Sequence, residues 1–208
     1  MREGTILIRR AFKDDALVIA RLHKKLLPEG FLSSINERFL VLLYRNLICS
    51  KNSFCFVANE GYNISGFIVG VTSISRFHKE FLKNNFLSLV QVFLVSIFRP
   101  AFIRKVAEDF LYPVTLDKRD YPDAELFSIA IDTDCQGKGI GKALFSRLVE
   151  EFQSLRIDYF KVLVSKHNTK ARIFYEKMGG VIRSEIQMHR GECSVIYVFM
   201  DKGNKVSF

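Results

Sequence analysis

The chain has 208 residues, 49% of them hydrophobic, with 31 Lys and Arg against 22 Asp and Glu and a formal net charge of +9. That length and apolar content suit one domain, residues 1–208, around one sizeable core, while four cysteines (Cys49, Cys55, Cys135, Cys193) without a C-x-x-C pair suggest neither a zinc site nor a disulfide framework. The positive balance repels polyamines and Lys-rich tails and draws phosphates or carboxylates, and its scatter without a recognised module argues against a nucleic-acid partner.

Charges within residues 1–15 stand where a secretory leader needs an apolar core, so a cytoplasmic location is expected. Apolar spacing predicts a strand over 5–10, helices over 14–27 and 34–49, and strands over 53–59 and 64–73 joined by a turn at 61–63. Residues 76–123 read as a largely helical segment. Its greasiest run, 86–98, holds Ser88, Gln91 and Ser96 and is too short for a bilayer, which needs roughly 20 apolar residues. It is expected to be a buried helix packed on its own domain or on a second subunit, as in a homodimer. Arg99, Arg104 and Lys105 behind it leave a membrane-surface helix as the lesser reading. The remainder predicts strand 125–132, helix 139–154, strand 159–165, helix 169–178, and strands 181–189 and 193–200.

Between strand 125–132 and helix 139–154 lies Gln136-Gly137-Lys138-Gly139-Ile140-Gly141-Lys142. Glycines at a strand-to-helix turn let backbone approach a ligand closely, and the first free N–H groups of the helix point at the same place, with the positive end of its dipole behind them. A diphosphate suits such a turn. A Walker loop would need Gly where Gln136 stands and Ser or Thr where Ala143 stands, and a dinucleotide fingerprint would need G-x-G-x-x-G rather than G-x-G-x-G.

What remains, Gln-x-x-Gly-x-Gly entering a helix, resembles the GNAT superfamily of acyl-coenzyme A dependent N-acetyltransferases, whose pyrophosphate loop reads Q/R-x-x-G-x-G/A. Here the matching residues are Gln136, Gly139 and Gly141. A second segment, Asn168-Thr169-Lys170-Ala171-Arg172-Ile173-Phe174-Tyr175-Glu176-Lys177-Met178-Gly179-Gly180, is similar to the family's N-x-x-A-x-x-F/L-Y-E-K-x-G-F helix, with Gly180 in place of the final Phe. Asn168 is also a good helix cap and Gly179 a good stop. The resemblance implies the GNAT α/β fold: a mixed, mostly antiparallel central sheet flanked by helices, with residues 76–123 as a helical insertion between the third and fourth strands. That insertion replaces a tight hairpin and borders the acceptor side.

The resemblance further implies acetyl-coenzyme A as co-substrate, without a metal. Its pyrophosphate would lie on the amides of Gly137, Lys138, Gly139, Ile140, Gly141 and Lys142, with Gln136, Asn168, Ala171 and Phe174 close by. The backbone of Ile129, Ala130 and Ile131 would hold the pantetheine arm and stabilise the oxyanion. Acetyl transfer needs a base for the ammonium and an acid for the leaving thiolate. By resemblance the acid is Tyr175. The base is Glu125, because Ala124-Glu125-Leu126-Phe127-Ser128-Ile129-Ala130-Ile131 looks like the fourth strand of the histone acetyltransferase branch, where the matching Glu is the base. A Glu on the fifth strand, as in some bacterial protein N-terminal acetyltransferases, is absent because the residue is Leu163. His78 and His167 are substitute bases. The expected function is N-acetylation of a small amine, anionic, amino-sugar or nucleotide-linked, by direct attack in a ternary complex. Alternatives are a protein lysine or N-terminal acetyltransferase, or an acyl-coenzyme A binding module without catalysis. The aromatics of 76–123 (Phe77, Phe81, Phe86, Phe93, Tyr112, Tyr121) with Arg76 and Lys79 are expected on the acceptor side.

Overall fold

The computed structural model describes residues 6–28, 31–61, 63–96, 121–187 and 193–200, and at 31 and over 87–96 it describes backbone only. Seven strands form one sheet in the order β1 (Ile6–Arg10), β2 (Ser53–Glu60), β3 (Asn63–Val71), β4 (Glu125–Ile131), β5 (Tyr159–Ser165), β7 (Cys193–Met200), β6 (Val181–Gln187). Every neighbouring pair is antiparallel except β4 and β5. The helices are α1 (Ala16–Leu26), α2 (Glu37–Cys49), α3 (Ile74–Ser96), α4 (Ile140–Ser154) and α5 (Thr169–Lys177). The mixed, mostly antiparallel sheet expected from the sequence is therefore present.

Local chemistry moves several predicted ends. The helix expected from residue 14 opens as a 3-10 turn, Lys13–Asp15, where the Phe12 N–H donates to the Asp15 carboxylate at 2.7 Å. The helix expected from Ser34 starts at Glu37, because Asn36 accepts the Phe39 N–H at 2.8 Å and so fixes the cap three residues later. Ser34 instead closes a short 3-10 turn. Strand β3 stops at Val71 rather than at 73, since Ser73 and Ser75 turn to hydrogen-bond Asp123.

Two cores cover the two faces. On one, α1, α2 and the first turns of α3 lay Ile19, Phe39, Leu43, Tyr44, Phe77 and Phe81 against Val57, Phe67, Val69 and Val71. On the other, α4 and α5 pack Leu144, Phe145, Phe152 and Tyr175 on Phe54, Ile68, Leu126, Phe160, Val162, Tyr197 and Phe199. Phe152, Phe160 and Phe199 stack in series, with centroids 4.8 and 5.0 Å apart. Each such side chain, fully buried, contributes about 1.5–3 kcal/mol.

Two features of the sheet shape a cleft. Val69 pairs with Ser128 and Gly70 with Leu126, so Phe127 is the extra residue of a bulge that re-aims β4. The β4–β5 ladder contains one pair, Glu125 with Lys161, supported by the Lys161 N–H on the Ala124 carbonyl at 3.0 Å. Beyond that pair the strands part, and the edge of β4 from Leu126 to Ile131 faces β5 without a ladder.

The segment from 76 leaves and returns through one stem. Asp123 accepts from the Ser73 and Ser75 hydroxyls at 2.5 and 2.9 Å, and its carbonyl takes the Ile74 N–H at 3.0 Å. Helix α3 bends at Asn85 (φ −120°, ψ 17°), whose side-chain amide donates to the Phe81 carbonyl and to Asn46 of α2. Phe77 and Phe81, expected on the acceptor side, belong to the first core instead, because the opening turns of α3 pack on α2. Phe86, expected buried, is 65% exposed. Arg76 and Lys79 are exposed. Residues 97–120, with Arg99, Arg104, Lys105 and Tyr112, lie outside the described residues, as does the Phe93 side chain. Among the described residues no helix is long and apolar enough to cross a membrane.

Candidate active site

After β4 the chain makes a 3-10 turn, Thr133–Cys135, and reaches α4 through the glycine-rich turn. Gly137 and Gly139 both sit at φ +80°, a left-handed conformation that costs other residues about 1–2 kcal/mol, and a Cβ on either would meet open space. Gly139 is the N-cap of α4 and brings no side chain to it. The first bond into the helix is the Ala143 N–H on the Gly139 carbonyl at 3.0 Å. The backbone N–H groups of residues 137–142 consequently have no partner among the described residues, and they lie at the positive end of a 15-residue helix. A bare cradle of this kind fits a diphosphate.

Gly141 is glycine for a different reason. A Cβ there would lie 3.3 Å from Ile131 Cδ1 and 3.6 Å from the Phe174 ring, so α4 closes at once on the end of β4 and on α5. Side chains hold the turn in place. Gln136 donates from Nε2 to the Ile131 carbonyl at 3.0 Å, and Lys25 of α1 pairs with Asp132 at 2.9 Å. Glu60 accepts from the Cys135 thiol at 3.3 Å and lies 3.8 Å from Lys138.

Asn168 caps α5 as predicted, accepting the Ala171 N–H at 3.0 Å. Gly179, at φ +92°, ends the helix as predicted. Where the resembled motif has Phe, Gly180 leaves room for the Phe199 ring of β7, whose Cζ would stand 2.7 Å from a Cβ at that position. Tyr175 lies in the second core with its ring against Phe174, Tyr197 and Phe199. Its hydroxyl makes no hydrogen bond among the described residues, and burial pushes its pKa well above the ordinary tyrosine value. A hydroxyl kept protonated and unengaged can give a proton to an arriving group. Tyr197, 6.0 Å away, is its opposite: that hydroxyl donates to Glu176 at 2.8 Å and accepts from Arg172 at 3.4 Å.

At the closed end of the cleft Glu125 is largely buried, 3.6 Å from the Lys161 ammonium. Burial raises its carboxyl, Lys161 pulls it back and Asp123 raises it further, with a net shift upward. Asp123 behaves oppositely: burial raises it, but the Ser73 and Ser75 hydrogen bonds and the charge of Lys161 outweigh that and hold it below the usual range. His78 is buried beside these groups, and desolvation lowers it to about 4. It therefore enters neutral pH uncharged and already deprotonated, while His167 is exposed. The structure thus brings Glu125 and His78 to one cluster and leaves His167 outside it.

Sequence reasoning missed Lys161 and Asp123. A lysine in the middle of a strand read as buried was the available signal for the first; the second is read only once the two ends of the insertion meet. A cavity of about 730 Å³ opens beside this cluster, with Tyr121, Asp123, Ala124, Tyr159, Arg183 and Met200 among its lining.

Known proteins share this architecture. Arabidopsis thaliana NAA60 in complex with a bisubstrate analogue superposes with a TM-score of 0.63 at 13% identity, over 96% of this chain and 100% of that one. The ribosomal-protein-S18-alanine N-acetyltransferase from Escherichia coli superposes with a TM-score of 0.58 at 16% identity, over 98% and 100%. At such identities the likeness is one of fold. In sequence, the chain is 33% identical over 75 residues to the ribosomal protein bS18-alanine N-acetyltransferase of Escherichia coli K12, covering 36% of this chain and 47% of that relative. It is 28% identical over 86 residues to the mycothiol acetyltransferase of Beutenbergia cavernae, covering 39% and 29%. The chain thus spans less than half the length of either curated relative. Residues 19–180 match the acetyltransferase (GNAT) family, and the chain belongs to that family.

Proposed function

We propose that this GNAT protein is an acetyl-coenzyme A dependent N-acetyltransferase that acts on the primary amine of a small acceptor by direct attack in a ternary complex. The observation that carries the reading is the conjunction of two unengaged sets of donors, the free amides of residues 137–142 and the hydroxyl of Tyr175, whose ring is buried. Packing alone accounts for neither. Acetyl-coenzyme A, when bound, supplies the activated acyl group. The amides of Gly137 to Lys142 hold its diphosphate, the unladdered edge of β4 at Ile129 to Ile131 holds its arm, and Gln136, Asn168, Ala171 and Phe174 fix the walls. Glu125 takes the proton from the incoming ammonium, and Tyr175 gives its proton to the departing sulfur. The return leg of the 76–123 segment, at Tyr121 to Asp123, flanks the acceptor side, where the cavity with Tyr121, Tyr159 and Arg183 has a volume suited to a small molecule.

A second reading, acetylation of a protein N-terminus, is favoured by the match to the ribosomal-protein alanine acetyltransferase. One screen separates the two. Coenzyme A release from acetyl-coenzyme A is followed with amino sugars and their phosphates, amino acids, polyamines and alanine-initiated peptides. Fastest turnover on a small anionic amine supports the first reading, and fastest turnover on the peptide supports the second. Absence of a coenzyme A-induced rise in melting temperature, which should follow RT ln(1 + [L]/Kd), would sink both.

A further inference from the structure

Lys161 is 3% exposed, and a fully buried lysine is seldom kept unless it is paired. Its ammonium lies 3.6 Å from the Glu125 carboxylate and donates to the Pro122 carbonyl at 2.5 Å. Its backbone forms, with Glu125, the single ladder pair that joins β4 to β5 before the strands part. A pair of apolar residues would join two strands at least as stably as a buried ion pair. The ion pair stands instead at the vertex of the cleft, with one partner the carboxylate proposed to take a proton from the acceptor.

We propose that Lys161 is the positioning residue of the acceptor site, a fixed internal cation that keeps Glu125 ionised and orients it from the return leg of the insertion. This rests on the reading of Glu125 as base. Among the described residues, the charged groups that act on Glu125 are Lys161 from β5 and Asp123 from the stem, and both also act on His78 of α3. Asp123 is engaged by Ser73 and Ser75, and His78 is neutral near pH 7 because burial lowers it to about 4. Lys161 is therefore the one positive charge among them that faces Glu125 at working pH. Burial drives Glu125 toward its protonated form, in which it cannot accept a proton, and Lys161 opposes that drive. The same ammonium, through the Pro122 carbonyl, fixes the carboxylate relative to the stem at Ser73 and Asp123. The acceptor side of the site and its base are then one mechanical unit.

The test uses the full chain and three variants, Lys161→Met, Lys161→Gln and Lys161→Arg; Gln retains a donor for the Pro122 carbonyl where Met does not. The pH dependence of coenzyme A release from acetyl-coenzyme A is measured with glycinamide and with water as acceptors, and the Glu125 carboxyl is titrated by 13C NMR without any acceptor. In the neutral variants the acidic limb of kcat/KM and the carboxyl titration should both move to higher pH by about one to three units. Lys161→Arg should return both toward wild type, and coenzyme A affinity should stay unchanged in all three. An unmoved carboxyl titration in a folded neutral variant overturns the proposal. So does failure of both neutral variants to fold while Lys161→Arg folds, since that assigns Lys161 to the framework alone. Glu125→Gln is the separate control. If it keeps the wild-type acidic limb, Glu125 is not the base and the functional reading fails, whatever the Lys161 variants do to the titration.

Discussion

Replacing Tyr175 by Phe removes one oxygen from a ring that keeps its contacts with Phe174, Tyr197 and Phe199. That hydroxyl makes no hydrogen bond among the described residues, so its loss breaks none there. A hydroxyl that bonds no protein group adds little to the fold, and Tyr175→Phe should be neutral to within about 1 kcal/mol. Tyr197→Phe, in the same aromatic cluster, breaks bonds to Glu176 and Arg172 and should destabilise by about 1–2 kcal/mol, roughly 2–8 °C in melting temperature. Turnover should behave in the opposite way. Loss of a general acid commonly costs about 10²- to 10⁴-fold, so Tyr175→Phe should be nearly inactive, while coenzyme A affinity by calorimetry stays at the wild-type value. Because burial raises the Tyr175 pKa, its deprotonation should add no alkaline limb near neutrality. The assay is coenzyme A release under conditions where chemistry limits the rate, paired with thermal unfolding of both variants. An unchanged kcat for Tyr175→Phe, or a melting temperature lowered as much as in Tyr197→Phe, would refute the assignment and make Tyr175 a packing residue.

Gly139→Ala should lose about 1–2 kcal/mol of stability to backbone strain at φ +80° and little affinity, since its Cβ meets open space; Gly139→Asp adds a negative charge beside the cradle and should weaken coenzyme A at least tenfold. Equal coenzyme A affinities in calorimetry would mean that the diphosphate lies elsewhere. Gly180→Ala should destabilise by about 1–3 kcal/mol through overpacking on Phe199, read as a lower melting temperature. His23, with Nδ1 2.5 Å from the Tyr44 hydroxyl, and His78 are both lowered by burial from 6.5 to about 4. Between those values the unfolded chain binds protons that the folded chain refuses, so stability is full above about pH 6.5 and falls as pH drops toward 4, by up to about 3 kcal/mol per ring. Urea unfolding at pH 7 and pH 5 measures this, and an unchanged midpoint would contradict the burial of both rings.

The parts legible in the sequence were those specified locally. Gly137, Gly139, Asn168 and Gly179 each have a backbone or capping task that residue type reveals, and each stands where it was expected. Strand β5 and strand β7 also have their predicted ends. What could not be read depends on contacts between distant segments. Phe77 and Phe81 look like ligand-facing aromatics until α2 is laid against them. Lys161 looks like an ordinary strand lysine until Glu125 and Pro122 arrive from a chain segment nearly forty residues earlier, 39 residues in the case of the carbonyl. The bulge at Phe127 is set by pairing with β3, which leaves no mark in the composition of β4 alone.

The stem at Ser73, Ser75 and Asp123 has an architectural consequence. Because departure and return are clamped to each other, the chain between them is closed on itself as a loop is by a clasp, and the register of β3 on β4 does not depend on its length. Closing a longer flexible loop costs only about 0.6 kcal/mol per doubling. The clasp therefore separates two kinds of sequence change: past the opening turns of α3, which carry the core residues Phe77 and Phe81 and the bend at Asn85, the segment can change length at small thermodynamic cost, while Asp123 cannot change without loosening the strand that begins two residues later. A graft that keeps residues 73–85 and 121–123 and replaces what lies between them with a short turn is the natural way to isolate the sheet and its cleft from the rest of the insertion.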